Sequence, residues 1–277
     1  MGRYLGQHFL VNKNKIKRIV EALELKSGDT IIEIGPGHGE LTTELINKFK
    51  NLKVKKFKIV AIEKDKKLAG YLKEKFKNDK NVEIIEGDAL KLLTQLTNDL
   101  LLTTNDYKIT GNIPYYITGY LFRILGELEN KPSLIVLTIQ KEVAERICAK
   151  IQTRRRQGYG GQGMNLLAAS VQFWAEPEII DYISKRDFRP IPEVDSAIIK
   201  LKVKSGKRQP KREKYYQFIK ILFKQPRKTI VNNVSEFQSL KVSKGEIIKK
   251  LKKININPQA RPQELSFEQI IELSTLF

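Results

Sequence analysis

The chain has 277 residues, 41% of them hydrophobic, which allows one large domain with or without a small companion and excludes global disorder. Its net charge of +20 and pI near 9.8 favour polyanionic partners, nucleic acid or an anionic membrane surface. A single cysteine, Cys148, excludes an internal disulfide or a cysteine metal cluster, and the two histidines, His8 and His38, sit in no metal-ligand spacing, so no metal is expected.

The N-terminal stretch MGRYLGQHFLVNKNK has no signal-peptide core, and no apolar run reaches membrane-spanning length, so a cytoplasmic protein is expected. In 13–25, Ile16, Ile19, Val20 and Leu23 recur at helical spacing. TIIEIG (30–35) then reads as a buried strand, and GELTTELINKFK as a helix. FKIVAIEKD (57–65) is a second strand, KKLAGYLKEKFK a helix, and NVEIIEGDAL (81–90) a third strand with its exit turn. YKITGN is a short fourth strand and TGYLFRILGEL a helix; PSLIVLTIQ (132–140) is a fifth strand followed by the helix KEVAERICAKI. This alternation predicts a doubly wound, mostly parallel sheet covered on both faces.

TRRRQGYGGQG (153–163) has the composition of a flexible loop, although Arg with Gly and Tyr also suits RNA contact. MNLLAASVQFWA reads as a helix, and EIIDYIS and SAIIKLKV as two last strands forming a hairpin-like edge. From about residue 205 the pattern turns to lysine-rich amphipathic helices. Residues 201–277 carry 18 Lys and Arg against 6 Glu, a net of +12 and more than half of the total excess. The expected organisation is a domain at 1–203 and a small basic helical domain at 204–277 that docks on nucleic acid.

In doubly wound sheets ligands bind outside the carboxyl ends of the strands. Four such ends carry polar signals here. EIGPGHGELT offers Gly35, Gly37 and Gly39 for close backbone approach, in a G-x-G-x-G pattern rather than the dinucleotide fingerprint. Glu63 closes the second strand, where a carboxylate can accept from both hydroxyls of a ribose. Asp88 closes the third, suited to an exocyclic amine or to capping the next helix. GNIPYY closes the fourth. No P-loop lysine and no nucleophile–base pair is evident, so the cofactor must itself be the electrophile, and S-adenosylmethionine fits. An adenine N6 amine could give its two hydrogens to the Asn112 side-chain oxygen and the Ile113 carbonyl. Pro114 would hold the turn and Tyr115 would stack on the base. Tyr116 receives no role.

The ordered set GQHFL, EIGPGHGELT, IEKD, GDAL, GNIPYY, QKEVAERI and FRPIPEVDSAIIKL resembles the ribosomal RNA adenine N6,N6-dimethyltransferases, over roughly residues 3–277. The match is best to their bacterial small-subunit branch, which modifies two adjacent adenosines near the 3′ end of 16S rRNA, and FKQPRKTIVNNV (223–234) looks like that branch's C-terminal domain. The resemblance implies a class I methyltransferase fold with a seven-stranded sheet. It also implies S-adenosylmethionine contacts at His8, Leu10, Gly35, Glu63, Asp88 and Asn112, with Gly37 in the same loop. Target-adenine contacts fall on Asn112, Ile113, Tyr115 and Phe188, Phe188 stacking across the base from Tyr115. The implied partner is 16S rRNA in a small-subunit assembly intermediate, with no membrane, no obligate protein partner and a monomeric enzyme. Where the family usually has GQNFL, this chain has His8, and the Arg/Gly tract stands where the family has a short loop. The alternatives are methylation of 23S rRNA or another nucleic acid, and a non-catalytic RNA-binding assembly factor.

Overall fold

The computed structural model describes residues 7–100, 106–149, 163–204, 211–236 and 242–277. Apart from Gly163, the Arg/Gly tract lies outside them. In chain order the elements are β1 (Phe9–Leu10), α1 (Lys13–Ala22), β2 (Thr30–Ile34), α2 (Glu40–Asn51), β3 (Lys58–Glu63), α3 (Lys66–Lys75) and β4 (Val82–Glu86). They continue with α4 (Ala89–Leu100), β5 (Tyr107–Asn112), α5 (Thr118–Glu127), β6 (Leu134–Gln140), α6 (Lys141–Ile147) and α7 (Leu166–Trp174). The last are β7 (Ala175–Ile183), β8 (Phe188–Arg189), β9 (Ser196–Val203), α8 (Arg212–Leu222), α9 (Ile230–Ser235), α10 (Lys244–Lys253) and α11 (Phe267–Leu276).

Two compact units emerge, Met1–Ala144 with Glu176–Val203, and Glu145–Ala175 with Lys204–Phe277. The first is built on a seven-stranded sheet in the order β4-β3-β2-β5-β6-β9-β7. β2 runs parallel to both β3 and β5, β4 is parallel to β3, β6 is parallel to β5, and β9 is antiparallel to β6. All five residues of β2 are buried, because helices cover both faces of a parallel sheet and leave no solvent side to alternate with. Asn12 starts α1 by accepting from the Asn14 and Lys15 amides, which turns Ile16, Ile19 and Val20 inward. These side chains pack with Leu45, Phe49 and Ile59, each burial contributing roughly 1.5–3 kcal/mol.

From β2 the chain winds outward to β4, then returns to add β5 on the opposite side. The reversal lies between β2 and β5, and their carboxyl ends, Ile34 and Asn112, border it. Close approach there demands Gly111, since a Cβ at that position would stand 2.4 Å from the Ile34 carbonyl oxygen. At the other end of β5, Lys108 is buried and its Nζ lies 2.8 Å from Asp29 Oδ2 and 2.8 Å from the Glu24 carbonyl.

Outside the main sheet, β1 pairs antiparallel with β8, Phe9 opposite Arg189 and Leu10 opposite Phe188. The Val11 amide donates to the Asp187 carbonyl at 2.9 Å, and Asn12 Nδ2 donates to Asp187 Oδ1 at 2.9 Å, extending the clasp.

In the second unit, Tyr215 of α8 is fully buried, stacks on Phe173 with ring centroids 4.2 Å apart, and donates its hydroxyl to the Ala169 carbonyl of α7 at 2.9 Å. That packing draws Glu145–Ala175 together with the C-terminal helices, so the compact units do not divide simply after Val203. Asn233 of α9 is buried, and its side chain bonds the Gln225 amide and the carbonyls of Gln225, Lys228 and Thr229, ordering the FKQPRKTIVNNV loop.

Candidate active site

An open cavity of about 840 Å³, its mouth included, lies at the carboxyl ends of β2, β3, β4 and β5. Gly35, Gly37, Glu63, Asp88, Asn112, Ile113, Tyr115, His8 and Phe188 all border it. Leu10 does not; its side chain is packed in the core and faces a smaller hollow behind the glycine loop.

The glycine loop is shaped by its own backbone. Gly37 has φ +61°, and a Cβ there would come within 2.7 Å of the Phe9 ring, so any side chain would both strain the turn and displace β1. The Gly37 amide donates to Glu63 Oε2 at 3.1 Å, while Oε1 accepts from the Asp65 amide at 2.8 Å. Glu63 thus ties the β2 loop to the end of β3, and its carboxylate keeps acceptor capacity beyond these amides for a ligand hydroxyl. Burial pushes its pKa above the ordinary value, partly offset by the Asp65, Gly37 and Lys64 amides.

Asp88 combines two uses. Its Oδ1 accepts from the Leu90 amide at 3.0 Å, capping α4, and its Oδ2 lies 2.8 Å from Lys64 Nζ. Burial alone would raise its pKa, but the Lys64 ammonium and the Leu90 amide outweigh that and hold the carboxyl below its ordinary range. It remains an ionised acceptor at the cavity wall.

Asn112 is oriented by its neighbour. Its Nδ2 donates to the His8 carbonyl at 2.7 Å, and a carbonyl can only accept, so the amide nitrogen must face His8. The side-chain oxygen is thereby left for an incoming N–H donor. The Ile113 amide is bound to the Thr138 carbonyl at 3.0 Å, which fixes the backbone just beyond β5. His8 is itself anchored, its Nδ1 2.8 Å from the Pro190 carbonyl, so the β1–β8 clasp reaches the Asn112 turn through one residue.

Pro114 opens a 3-10 turn over Tyr115–Ile117. The Tyr115 hydroxyl lies 2.9 Å from the fully buried Ser196 Oγ, and burial pushes the phenol pKa up. The ring is therefore held at its hydroxyl while the residue borders the cavity, and the His8 ring stacks near it with centroids 6.1 Å apart. Phe188 also borders it but is only 1% exposed, clamped by the pairing of β8 with β1.

Three participants received no role from the sequence, although each lies in a motif that carries the resemblance. Ser196 ends the FRPIPEVDS pattern and starts a strand. Lys64 is one of many lysines, and its partner is 24 residues away. Glu33, at the end of β2, is buried and accepts from Thr42 Oγ1 at 2.7 Å. Burial pushes its pKa up to about 7. An acidic residue inside an otherwise apolar strand was the signal available for it.

A family model described as Ribosomal RNA adenine dimethylase matches residues 2–277. The chain belongs to the ribosomal RNA adenine dimethylase family. Among similar relatives is the Ribosomal RNA small subunit methyltransferase A of Dehalococcoides mccartyi, 36% identical over 267 residues that cover 96% of this chain and 84% of the relative. The protein of the same name from Mycoplasma capricolum is 36% identical over 281 residues, covering 99% and 96% respectively. Two solved structures share the fold. A dimethyladenosine transferase from Plasmodium falciparum has TM-score 0.75 at 24% identity, covering 96% of each chain. The 23S rRNA methyltransferase ErmE has TM-score 0.71 at 24% identity, covering 96% of this chain and 98% of its own. As a ribosomal RNA adenine dimethylase the chain is a methyltransferase acting on rRNA adenine, and its class I fold implies S-adenosylmethionine as methyl donor. Among the described residues, no helix is long and apolar enough to cross a membrane.

Proposed function

We propose that this chain dimethylates N6 of two adjacent adenosines near the 3′ end of 16S rRNA, using S-adenosylmethionine, within a small-subunit assembly intermediate in the cytoplasm. The observation that carries this reading is the Asn112 amide, whose nitrogen is committed to the His8 carbonyl so that its oxygen is left to accept. The residues at the strand ends fit the cofactor. Glu63 keeps acceptor capacity for a ribose diol, Asp88 is an ionised acceptor for an adenine amine, and Gly35 and Gly37 leave the loop without side chains where the ligand backbone must pass. When bound, S-adenosylmethionine supplies a methyl group activated by its sulfonium.

The chain's own residues then hold the nucleophile. The Asn112 oxygen and the Ile113 carbonyl accept the two N6 hydrogens and stabilise the positive charge that develops on nitrogen as it becomes tetrahedral. The Tyr115 ring carries the base, a contact worth roughly 1–3 kcal/mol that offsets part of the few kcal/mol needed to take a base out of its helix. Phe188 is the second ring. No general base is needed, because the methylated nitrogen loses its proton readily. Positioning is the main work of the site. The basic stretch 204–277 forms the RNA-docking part, placing the enzyme through phosphates.

The test is transfer of label from radiolabelled S-adenosylmethionine to unmethylated 30S particles, with the modified nucleotide mapped. Label in two adjacent adenines of 16S rRNA supports the proposal. Absence of label in adenine, with an active relative working alongside, sinks it, and label in 23S rRNA reassigns the substrate.

A further inference from the structure

The catalytic turn does not end at Tyr115. Tyr116 borders the cavity and is 63% exposed, and Tyr120, one turn further on, is 52% exposed. Arg123 follows three residues later, its guanidinium 5.7 Å from the Tyr120 ring centroid. Tyr116 lies in the 3-10 turn that leads into α5, while Tyr120 and Arg123, three residues apart on α5, share its exposed face, and Leu121, Phe122, Ile124 and Leu125 are buried on the other. Two exposed aromatic rings and a cation therefore follow one another from the cavity mouth onto α5.

Burial does not explain this strip, since its rings face solvent. Gly119 lies between the two tyrosines in the first turn of α5, and a Cβ there would meet nothing within 4 Å. Packing therefore does not require glycine, and alanine would favour the helix. What glycine provides is a bare, open helix surface beside Tyr120. The Arg123 side chain is 68% exposed, and its pairing with Glu127 is a solvent-facing one that a phosphate can displace.

We propose that Tyr116, Tyr120 and Arg123 form a stacking strip for the single-stranded nucleotides flanking the target adenine. This rests on the adenine-methylation reading above. The rings take successive bases by their faces, without reading their edges, and Arg123 meets the phosphate between them. The strip keeps the flanking strand extended while the target base occupies the cavity, so it serves single strands and rejects a closed duplex.

The experiment uses the full chain, with a short single-stranded RNA carrying 2-aminopurine on either side of the target adenine, and unmethylated 30S particles. Wild type quenches the probe on one side. Tyr120→Ala loses that quenching and raises KM for 30S at least about fivefold, with cofactor affinity unchanged. Tyr120→Phe restores both, whereas Tyr120→Leu does not. Gly119→Leu, whose Cβ meets nothing within 4 Å, raises KM like Tyr120→Ala. An unchanged KM and quench in Tyr120→Ala, or rescue by Leu equal to that by Phe, overturns the strip. If wild type labels adenine while Tyr120→Ala is indistinguishable from it, the strip falls and the methylation reading stands. If Tyr120→Ala loses quenching but wild type labels no adenine, the strip stands and the methylation reading falls.

Discussion

Replacing Asn112 with alanine separates the chemical role of this side chain from its structural one. The substitution removes the amide nitrogen that donates to the His8 carbonyl at 2.7 Å and the oxygen proposed to accept from N6. The first loss is one half-buried hydrogen bond, worth about 1 kcal/mol, and shifts the melting temperature by roughly 2–4 °C for a unit of this size. The second loss falls in the transition state. One preorganised partner of a developing charge is worth on the order of 10²–10³ in rate. Single-turnover transfer of labelled methyl to unmethylated 30S particles reads the second quantity, and thermal unfolding by circular dichroism reads the first. Affinity for the 30S particle is expected to stay near that of wild type, since the RNA phosphates are met elsewhere. A single-turnover rate within about threefold of wild type would refute the acceptor role. So would a rate loss matched by an equal loss of cofactor affinity, which would make Asn112 a binding residue only.

Three further outcomes are expected. Ser196→Ala deprives the Tyr115 hydroxyl of its nearer partner, leaving the Val194 carbonyl at 3.5 Å, and should cost about 0.5–1.5 kcal/mol in urea unfolding. Combined with Tyr115→Phe it should add almost nothing more, and full additivity would show that the two hydroxyls are not coupled. Glu33 is buried with its pKa raised from 4.5 to about 7, so the folded state holds this proton more tightly than the unfolded one. Its contribution is fully present below pH 4.5 and is lost as pH rises through 7, a change on the order of 3 kcal/mol. Glu33→Gln, which can still accept from Thr42, should flatten that slope in urea titrations at several pH values; an unaltered slope would point to other groups. Lys108→Ala strands the buried Asp29 carboxylate and should destabilise by about 3–5 kcal/mol, whereas replacing both by apolar residues of similar volume should recover most of it. Equal destabilisation by the single and double variants would contradict this.

The sheet was legible because its strands are buried on both faces and therefore appear as continuous apolar runs such as TIIEI and LIVLTIQ, bounded by turn residues. Helix α4 was not assigned from the sequence, although Leu92, Leu93 and Leu96 recur at helical spacing behind Asp88. The polar turn GDAL drew the reading to the ligand end and away from what followed. The glycine loop, Glu63, Asp88 and GNIPYY were legible as strand ends, since each stands where an apolar run stops. What could not be read was which atoms are already engaged. Capping of α4 by Asp88, the lysine beside it, and the amide contacts on Glu63 depend on residues brought together only by folding. The β1–β8 pairing is two residues long and has no periodicity to detect. Leu10 differs from its neighbours in place: its side chain turns to the core and borders only the smaller hollow, while Phe9 and His8 border the cavity.

The clasp between β1 and β8 also bears on how the protein is made. It joins Phe9 to Arg189 and His8 to Pro190, contacts separated by about 180 residues of chain. On a ribosome releasing the polypeptide from its N-terminus, the glycine loop and the Asn112 turn emerge long before residues 188–190 can close over them. Contacts of such sequence separation form late, because the loop between them must be ordered first. A nascent chain carrying every strand-end motif but ending before residue 188 would lack the partner of His8, and with it the anchor of the carbonyl that orients Asn112. The wall of the cavity around Asn112 therefore closes only once most of the chain is available.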